Sequence, residues 1–132
     1  MMSMTEKTEK VVATDRPPIW KSRYNHPTQW DQFFSPLSMP AMFFASAGRR
    51  GDANLLDFMG KKYSYTEIAA GVTHVAKGLQ ELGVEKGDRV GLFLPNVPHY
   101  VSAYYGAMAI GATVVNFSPL YTVEELNHQV ED

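Results

Sequence analysis

The sequence predicts an α/β fold: a β-hairpin followed by a parallel βαβ unit, flanked by helices. Three observations predict it. Two apolar runs without polar alternation, 90–94 and 113–117, have strand length and are separated by one helix-sized segment. Two capping boxes, Ser64 with Glu67 and Thr122 with Glu125, mark helix starts. Gly60-Lys61 lies between two short strand-like runs, as a tight hairpin turn does.

Each element follows in order. Residues 1–37 build no core: they start polar and charged, then turn rich in Pro and aromatics, from Pro17 and Trp20 to Trp30, Phe34 and Pro36. They read as an extended, partly disordered arm whose aromatics pin it to a surface, or in which Trp20 and Trp30 meet a partner. Residues 38–132 form the α/β segment. Ser38 caps a short helix over 39–48, with Pro40 in its first turn, Met42, Phe43 and Ala45 to Ala47 on its apolar face and Gly48 ending it. Runs 55–59 and 62–65 form the hairpin.

The strongest helix signal covers 65–82. Ile68, Val72, Val75, Leu79 and Leu82 recur at steps of four and three, on one face. Gly83 stops the helix, while Gly71 and Gly78 permit close packing against a neighbour. Lys86-Gly87-Asp88 is a turn, and 90–94 a strand expected to be buried on both faces. Asn96 then caps a helix over 97–110, with Pro98 in its first turn, Val97, Val101, Tyr105 and Met108 facing inward and Gly111 at its end. The strand 113–117 pairs in parallel with 90–94 through a right-handed crossover. A last helix opens at Thr122, with Val123, Leu126 and Val130 on one side.

Composition excludes several classes. At 45% apolar and 20% charged residues, wholesale disorder is excluded. The chain has no cysteine, which excludes a disulfide scaffold, a thiolate zinc site and a Cys nucleophile, and is compatible with the cytoplasm. A net charge of −2 gives no bulk attraction for nucleic acid. No Asp, Glu, Lys or Arg occurs between Val90 and Val123. That stretch is not a membrane span, because Pro95, Asn96, Pro98, His99, Asn116 and Pro119 break it. The first ten residues carry acids and no apolar run, unlike a signal peptide.

Residue chemistry alone yields no active site. Gly106 and Gly111 have the spacing of a phosphate loop, but Ala112 stands where Lys is needed, and the glycines fall within and at the end of a helix, the negative end of its dipole. His26, His74, His99 and His128 share no metal-ligand spacing. His99 follows Pro98 past the carboxyl end of a strand, the edge where open α/β sheets bind ligands, although an exposed helix residue explains it as well. No Ser sits in a G-x-S-x-G elbow. Asp88 beside Arg89 reads as a turn-stabilising acid, and Tyr104-Tyr105 as core and rim. No catalytic, cofactor-binding or metal residue is assigned.

The blocks Y-S-Y-T-E-I at 63–68, L-G-V-E-K-G-D-R-V at 82–90, L-P-N at 94–96, A-I-G-A-T-V-V-N-F-S-P-L-Y-T at 109–122 and E-E-L at 124–126 stand in a distinctive order. Together they resemble the N-terminal part of the AMP-forming acyl-CoA synthetases. That superfamily includes fatty-acid, acetate and 4-coumarate ligases, firefly luciferase and peptide-synthetase adenylation domains. The resemblance covers about 38–132, and the V-N-F-S-P-L-Y-T version is most similar to bacterial long- and medium-chain fatty-acid–CoA ligases. It implies the N-terminal portion of the large domain of an adenylate-forming enzyme. It also implies a two-step reaction: ATP and a carboxylate give an acyl-adenylate and pyrophosphate, then CoA displaces AMP, with Mg2+ assisting. The motifs that handle these cofactors in the family, a Ser/Thr/Gly-rich phosphate loop ending in Lys above all, have no counterpart here. The expectation is therefore a truncated segment whose partner is the rest of a parent polypeptide. It is inert alone, binds no cofactor by itself and self-associates through uncovered apolar surface. A parent acting on fatty acids is cytoplasmic, with peripheral contact to the inner face of the membrane left open. The alternatives are a fragment of an aryl- or short-chain-CoA ligase, half of a nucleotide-binding domain, or an interaction module that docks through its aromatic arm.

Overall fold

A computed structural model describes residues 19–131. The chain divides into two compact units, Met1–Ser35 and Pro36–Asp132. Residues 1–18 of the expected arm lie outside the described residues. In the first unit, Lys21–Arg23 form a single 3-10 turn, and the Trp30 ring meets Trp20 edge-on at 5.6 Å and Tyr24 at 5.8 Å.

The second unit runs α1 (Met39–Arg50), β1 (Asn54–Phe58), β2 (Lys61–Ser64), α2 (Tyr65–Glu81), β3 (Arg89–Leu92), α3 (Pro98–Ala109), β4 (Thr113–Asn116) and α4 (Val123–Glu131). The expected α/β class and element order are therefore found. Strands β1 and β2 form the antiparallel hairpin, and β3 and β4 pair in parallel, Arg89 opposite Thr113 and Leu92 opposite Asn116. Helix α3 links the two parallel strands and packs most extensively on α2.

Local chemistry explains where the helices start. Ser38 Oγ accepts the Ala41 N–H, and Pro40 lies in the first turn, where no amide donor is missed. At α2, Ser64 Oγ accepts the Glu67 N–H while the Glu67 carboxylate accepts the Ser64 N–H at 2.7 Å, closing the capping box. Thr122 and Glu125 repeat it at α4.

The core lies where α1, the hairpin, α2 and α3 meet. Phe43, Ile68 and Val72 are buried, with Leu55, Leu56, Tyr63, Val101 and Tyr105 packed around them. Phe43 and Tyr105 stack at 4.6 Å between centroids. No polar side chain is buried among the described residues, so this core carries no desolvation penalty of that kind.

Several expectations are corrected. Helix α1 passes through Gly48 and ends at Gly51, whose φ of 49° supplies the left-handed stop. The hairpin turn is Met59-Gly60, with φ of 53° and 80°, one residue earlier than expected, so Lys61 and Lys62 belong to β2 and Tyr65 opens α2. Leu82 is 81% exposed because it sits at the C-cap, past the packed face of α2. Met42 is exposed, although it borders a cleft with Phe43, Leu55 and Tyr105 of the core. Val97, not Asn96, is the N-cap of α3, and no side chain caps it; Pro98 removes one of the donors a cap would serve. Of the two α2 glycines, Gly71 approaches Ser102 of α3, whereas Gly78 faces open space.

The largest correction concerns β3 and β4. Neither is buried on both faces: Arg89, Gly91, Thr113 and Asn116 are exposed. Helix α3 packs against both strands, but α4 makes no comparable contact with either, and its Val123 and Val130 stay exposed. An apolar strand without alternation is built for two covers, and the described residues supply one.

Candidate functional site

The carboxyl ends of β3 and β4 lie side by side, at Leu92 and Asn116. Open α/β sheets bind ligands at this edge. The ladder continues one step past the strands, with the Phe117 N–H donating to the Leu92 carbonyl at 3.0 Å. From Leu92 the chain crosses Phe93, Leu94, Pro95 and Asn96 and enters α3 at Pro98. The Tyr100 hydroxyl, on the first turn of α3, donates to Asn116 Oδ1 at 2.8 Å. This bond ties the start of the crossover helix to the end of the second strand.

A shallow cleft of about 210 Å³ opens beside this edge. Leu56, Asp57 and Phe58 of β1 form one wall, and Asn96, Val97, Pro98, Tyr100 and Val101 the other. Its lining is mostly apolar, and Asp57 is its one acidic residue. A second space, of about 250 Å³, lies on the sheet face toward α4, bounded by Arg89, Gly91, Val115, Phe117, Gln129 and Val130. There the Phe117 ring lies over Gly91 so closely that a Cβ would sit 2.3 Å from Cε2.

The residues weighed in the sequence are kept apart. His26 belongs to the first unit, where its Nδ1 accepts the Thr28 N–H. His74 lies 3.2 Å from the Ala70 carbonyl on the exposed side of α2. His99 is exposed in the first turn of α3, and His128 is exposed on α4. Asp88 accepts the Glu85 N–H at 2.7 Å and holds the turn before β3, at the amino end of the sheet. Tyr105 belongs to the core, and Tyr104 lies between it and Tyr100, stacking on Tyr100 at 5.9 Å. Gly106 is buried within α3, so the glycine spacing is helix packing and not a phosphate loop.

Two carboxylates have lowered pKa values. Glu67 accepts the Ser64 backbone N–H and Glu125 that of Thr122, and each charged form gains from that donor first and from the neighbouring hydroxyl second. Both are helix caps. No group of three or more His, Cys, Asp or Glu able to hold a metal ion occurs among the described residues. Among the described residues, therefore, no acidic cluster fits the metal of an adenylate-forming reaction. Sequence reasoning missed the Tyr100–Asn116 bond and the Phe117–Gly91 contact, because neither pair shares a local period or cap signature.

Comparison with known proteins supplies what the geometry does not. The family model described as AMP-binding enzyme matches residues 43–132. The long-chain-fatty-acid–CoA ligase of Bacillus subtilis (strain 168) is 34% identical over 113 residues, 86% of this chain and 20% of that protein. The enzyme of the same name from Escherichia coli O6:H1 is 36% identical over 118 residues, 86% of this chain and 21% of its own. A probable 4-coumarate–CoA ligase of Dictyostelium discoideum is 41% identical over 68 residues, 52% of this chain and 12% of its own. The chain spans about a fifth of the length of the first two. Among solved structures, coronafacic acid ligase from Pectobacterium brasiliense superposes with a TM-score of 0.68 at 20% identity, over 71% of this chain and 19% of that one. The Klebsiella oxytoca NpsA N-terminal subdomain in complex with 3-hydroxyanthranilyl-AMSN gives 0.69 at 24%, over 71% and 24%. These two likenesses show the fold alone. The matched family model covers both capping boxes, the hairpin and the whole βαβ unit, and on that match the chain belongs to the family of AMP-binding, adenylate-forming enzymes.

Proposed function

We propose that this chain is scaffold from a fatty-acid–CoA ligase. In the parent reaction, ATP and a fatty acid give an acyl-adenylate and pyrophosphate, and CoA then displaces AMP to give acyl-CoA. The observation that carries the reading is the extent of the match. Identity to long-chain-fatty-acid–CoA ligases runs over 113 to 118 residues, more than the 43–132 segment of the family model holds. The match to 4-coumarate–CoA ligase stops at 68 residues. That difference supports a fatty acid over an aryl substrate.

The chain's own part is structural. Among the described residues no group of three or more His, Cys, Asp or Glu could hold a metal ion, and in this reading no step of the reaction is routed through the chain's own side chains. The chain supplies a parallel strand pair, with a second face left open for other elements. ATP–pyrophosphate exchange by the purified 132-residue chain is expected to be absent, and measurable exchange would overturn the scaffold reading. Acyl-CoA formation by the full gene product, assayed over a series of acyl and aryl acids, is expected to favour long acyl chains. A preference for aryl or short acids would move the parent to another adenylate-former.

A further inference from the structure

Helix α1 gives two methionines to one cleft. Met39 and Met42 are three residues apart, so they share a face of the helix. With Phe43, Leu55, Tyr65 and Tyr105 they bound a space of about 250 Å³ beside the core. None of the residues around it is charged, and all belong to the second unit. Met39 is 44% exposed and Met42 52%, so solvent reaches both. Phe43, next in the chain, is buried and stacks on Tyr105, so a change in this wall is felt in the core. The chain has seven methionines and no cysteine, so thioethers are its only sulfur.

We propose that Met39 and Met42 form a reversible oxidation site for hydroperoxides, and that their sulfoxide form loosens α1 from the hairpin and α3. The step balances with hydrogen peroxide as the oxidant. A sulfur lone pair attacks one peroxide oxygen and the O–O bond breaks. A proton then passes from the transferred oxygen to the departing hydroxide, which leaves as water. Sulfur is oxidised by two electrons and the peroxide is reduced by two. The product carries a polar S=O on a side chain that was apolar and polarizable. Aromatic and aliphatic walls do not solvate that dipole, so the oxidised side chain turns to water and the wall it made is lost. Met59 is the internal comparison. It is 91% exposed at the hairpin turn, so peroxide reaches it at least as readily, yet it covers no core residue. Oxidation there changes no packing, whereas at Met39 and Met42 it does. This inference does not depend on the ligase reading.

The 132-residue chain would be treated with hydrogen peroxide, mapped by peptide mass spectrometry and unfolded in urea. Sulfoxide is expected at Met39 and Met42, together with a lower urea midpoint. The unfolded-to-folded ratio should rise about fivefold or more, as lost sulfur–aromatic packing implies. Methionine sulfoxide reductases A and B together should restore the midpoint. Met39→Leu with Met42→Leu keeps the volume and removes the sulfur. Its midpoint should hold under the same peroxide while Met59 still oxidises. Sulfoxide at both positions with an unchanged midpoint overturns the proposal. So does an equal fall in the double variant, a fall that the reductases do not reverse, or a chain in which Met59 is fully oxidised and both α1 methionines are not. Reductase rescue uses the natural sequence, so it decides the matter even where a variant fails to fold.

Discussion

The Val75 side chain occupies the space that a side chain at position 106 would need. A Cβ on Gly106 would lie 2.7 Å from Val75 Cγ1 and 3.1 Å from the Val72 carbonyl oxygen. Gly106 is buried in α3, and Val75 is half-buried on α2. The two helices thus meet through a glycine, and this contact sets how near they come. Gly106→Ala is expected to destabilise the chain by about 1–3 kcal/mol, the cost of overpacking against backbone and a branched side chain. A fall in the urea midpoint would show it. A midpoint that held or rose would mean the helices part freely and the glycine is incidental.

Gly78→Ala should move the other way. Gly78 lies in the same helix α2, but nothing comes within 4 Å of a Cβ built there. Helix propensity then acts unopposed and favours Ala by about 0.5–1 kcal/mol. Gly71 falls between the two, because its close neighbour is the Ser102 hydroxyl at 2.6 Å, which can rotate away. The expected order of urea midpoints is Gly78→Ala, then Gly71→Ala, then Gly106→Ala. Any other order would mean these three contacts do not govern the α2–α3 packing.

This contrast marks what a sequence can announce. Ser64 with Glu67 and Thr122 with Glu125 are short-range patterns whose donors and acceptors lie three residues apart, so they are visible before any fold is known. The parallel pairing of β3 and β4 was legible for a related reason: two apolar runs joined by one helix leave few topologies. Burial was legible only in part. Val72 is fully buried, but Val123 and Val130 share the same kind of helical stripe and are exposed, since a stripe records which face seeks cover and not whether cover is present. The edge site was the least legible. Tyr100 and Asn116 meet across 16 residues and carry no mutual signature.

The caps give stability a pH dependence. The Glu67 and Glu125 carboxyls titrate below their ordinary value of 4.5, chiefly because backbone N–H groups of Ser64 and Thr122 hydrogen-bond the charged forms. A lowered native pKa means the unfolded chain binds protons first as pH falls. The contribution is therefore complete above about pH 4.5 and is lost as pH drops through the lowered native values. Urea midpoints taken from neutral pH to below pH 4 should decline over that window. Glu67→Gln with Glu125→Gln keeps an acceptor in each box but removes the titration, so the decline should become shallower. An identical slope in the variant would assign it to other acids.

Met59 supplies the last test. It is the first of two turn residues with positive φ, 53° followed by 80° at Gly60, the pattern of a two-residue hairpin turn with primed geometry. Asn or Gly is the usual first residue there; a long side chain costs roughly 1–2 kcal/mol in this backbone region. Met59 is 91% exposed, so no packing offsets that cost. Met59→Asn should therefore stabilise the chain, by about 0.5–1 kcal/mol after allowing for local relaxation. Asn is the sharper substitution, because Gly would also loosen the unfolded chain and return part of the gain. Amide exchange along β1 and β2 should slow in the same variant, since the turn sets their register. A lower urea midpoint in Met59→Asn would show that the methionine makes a stabilising contact its exposure does not reveal.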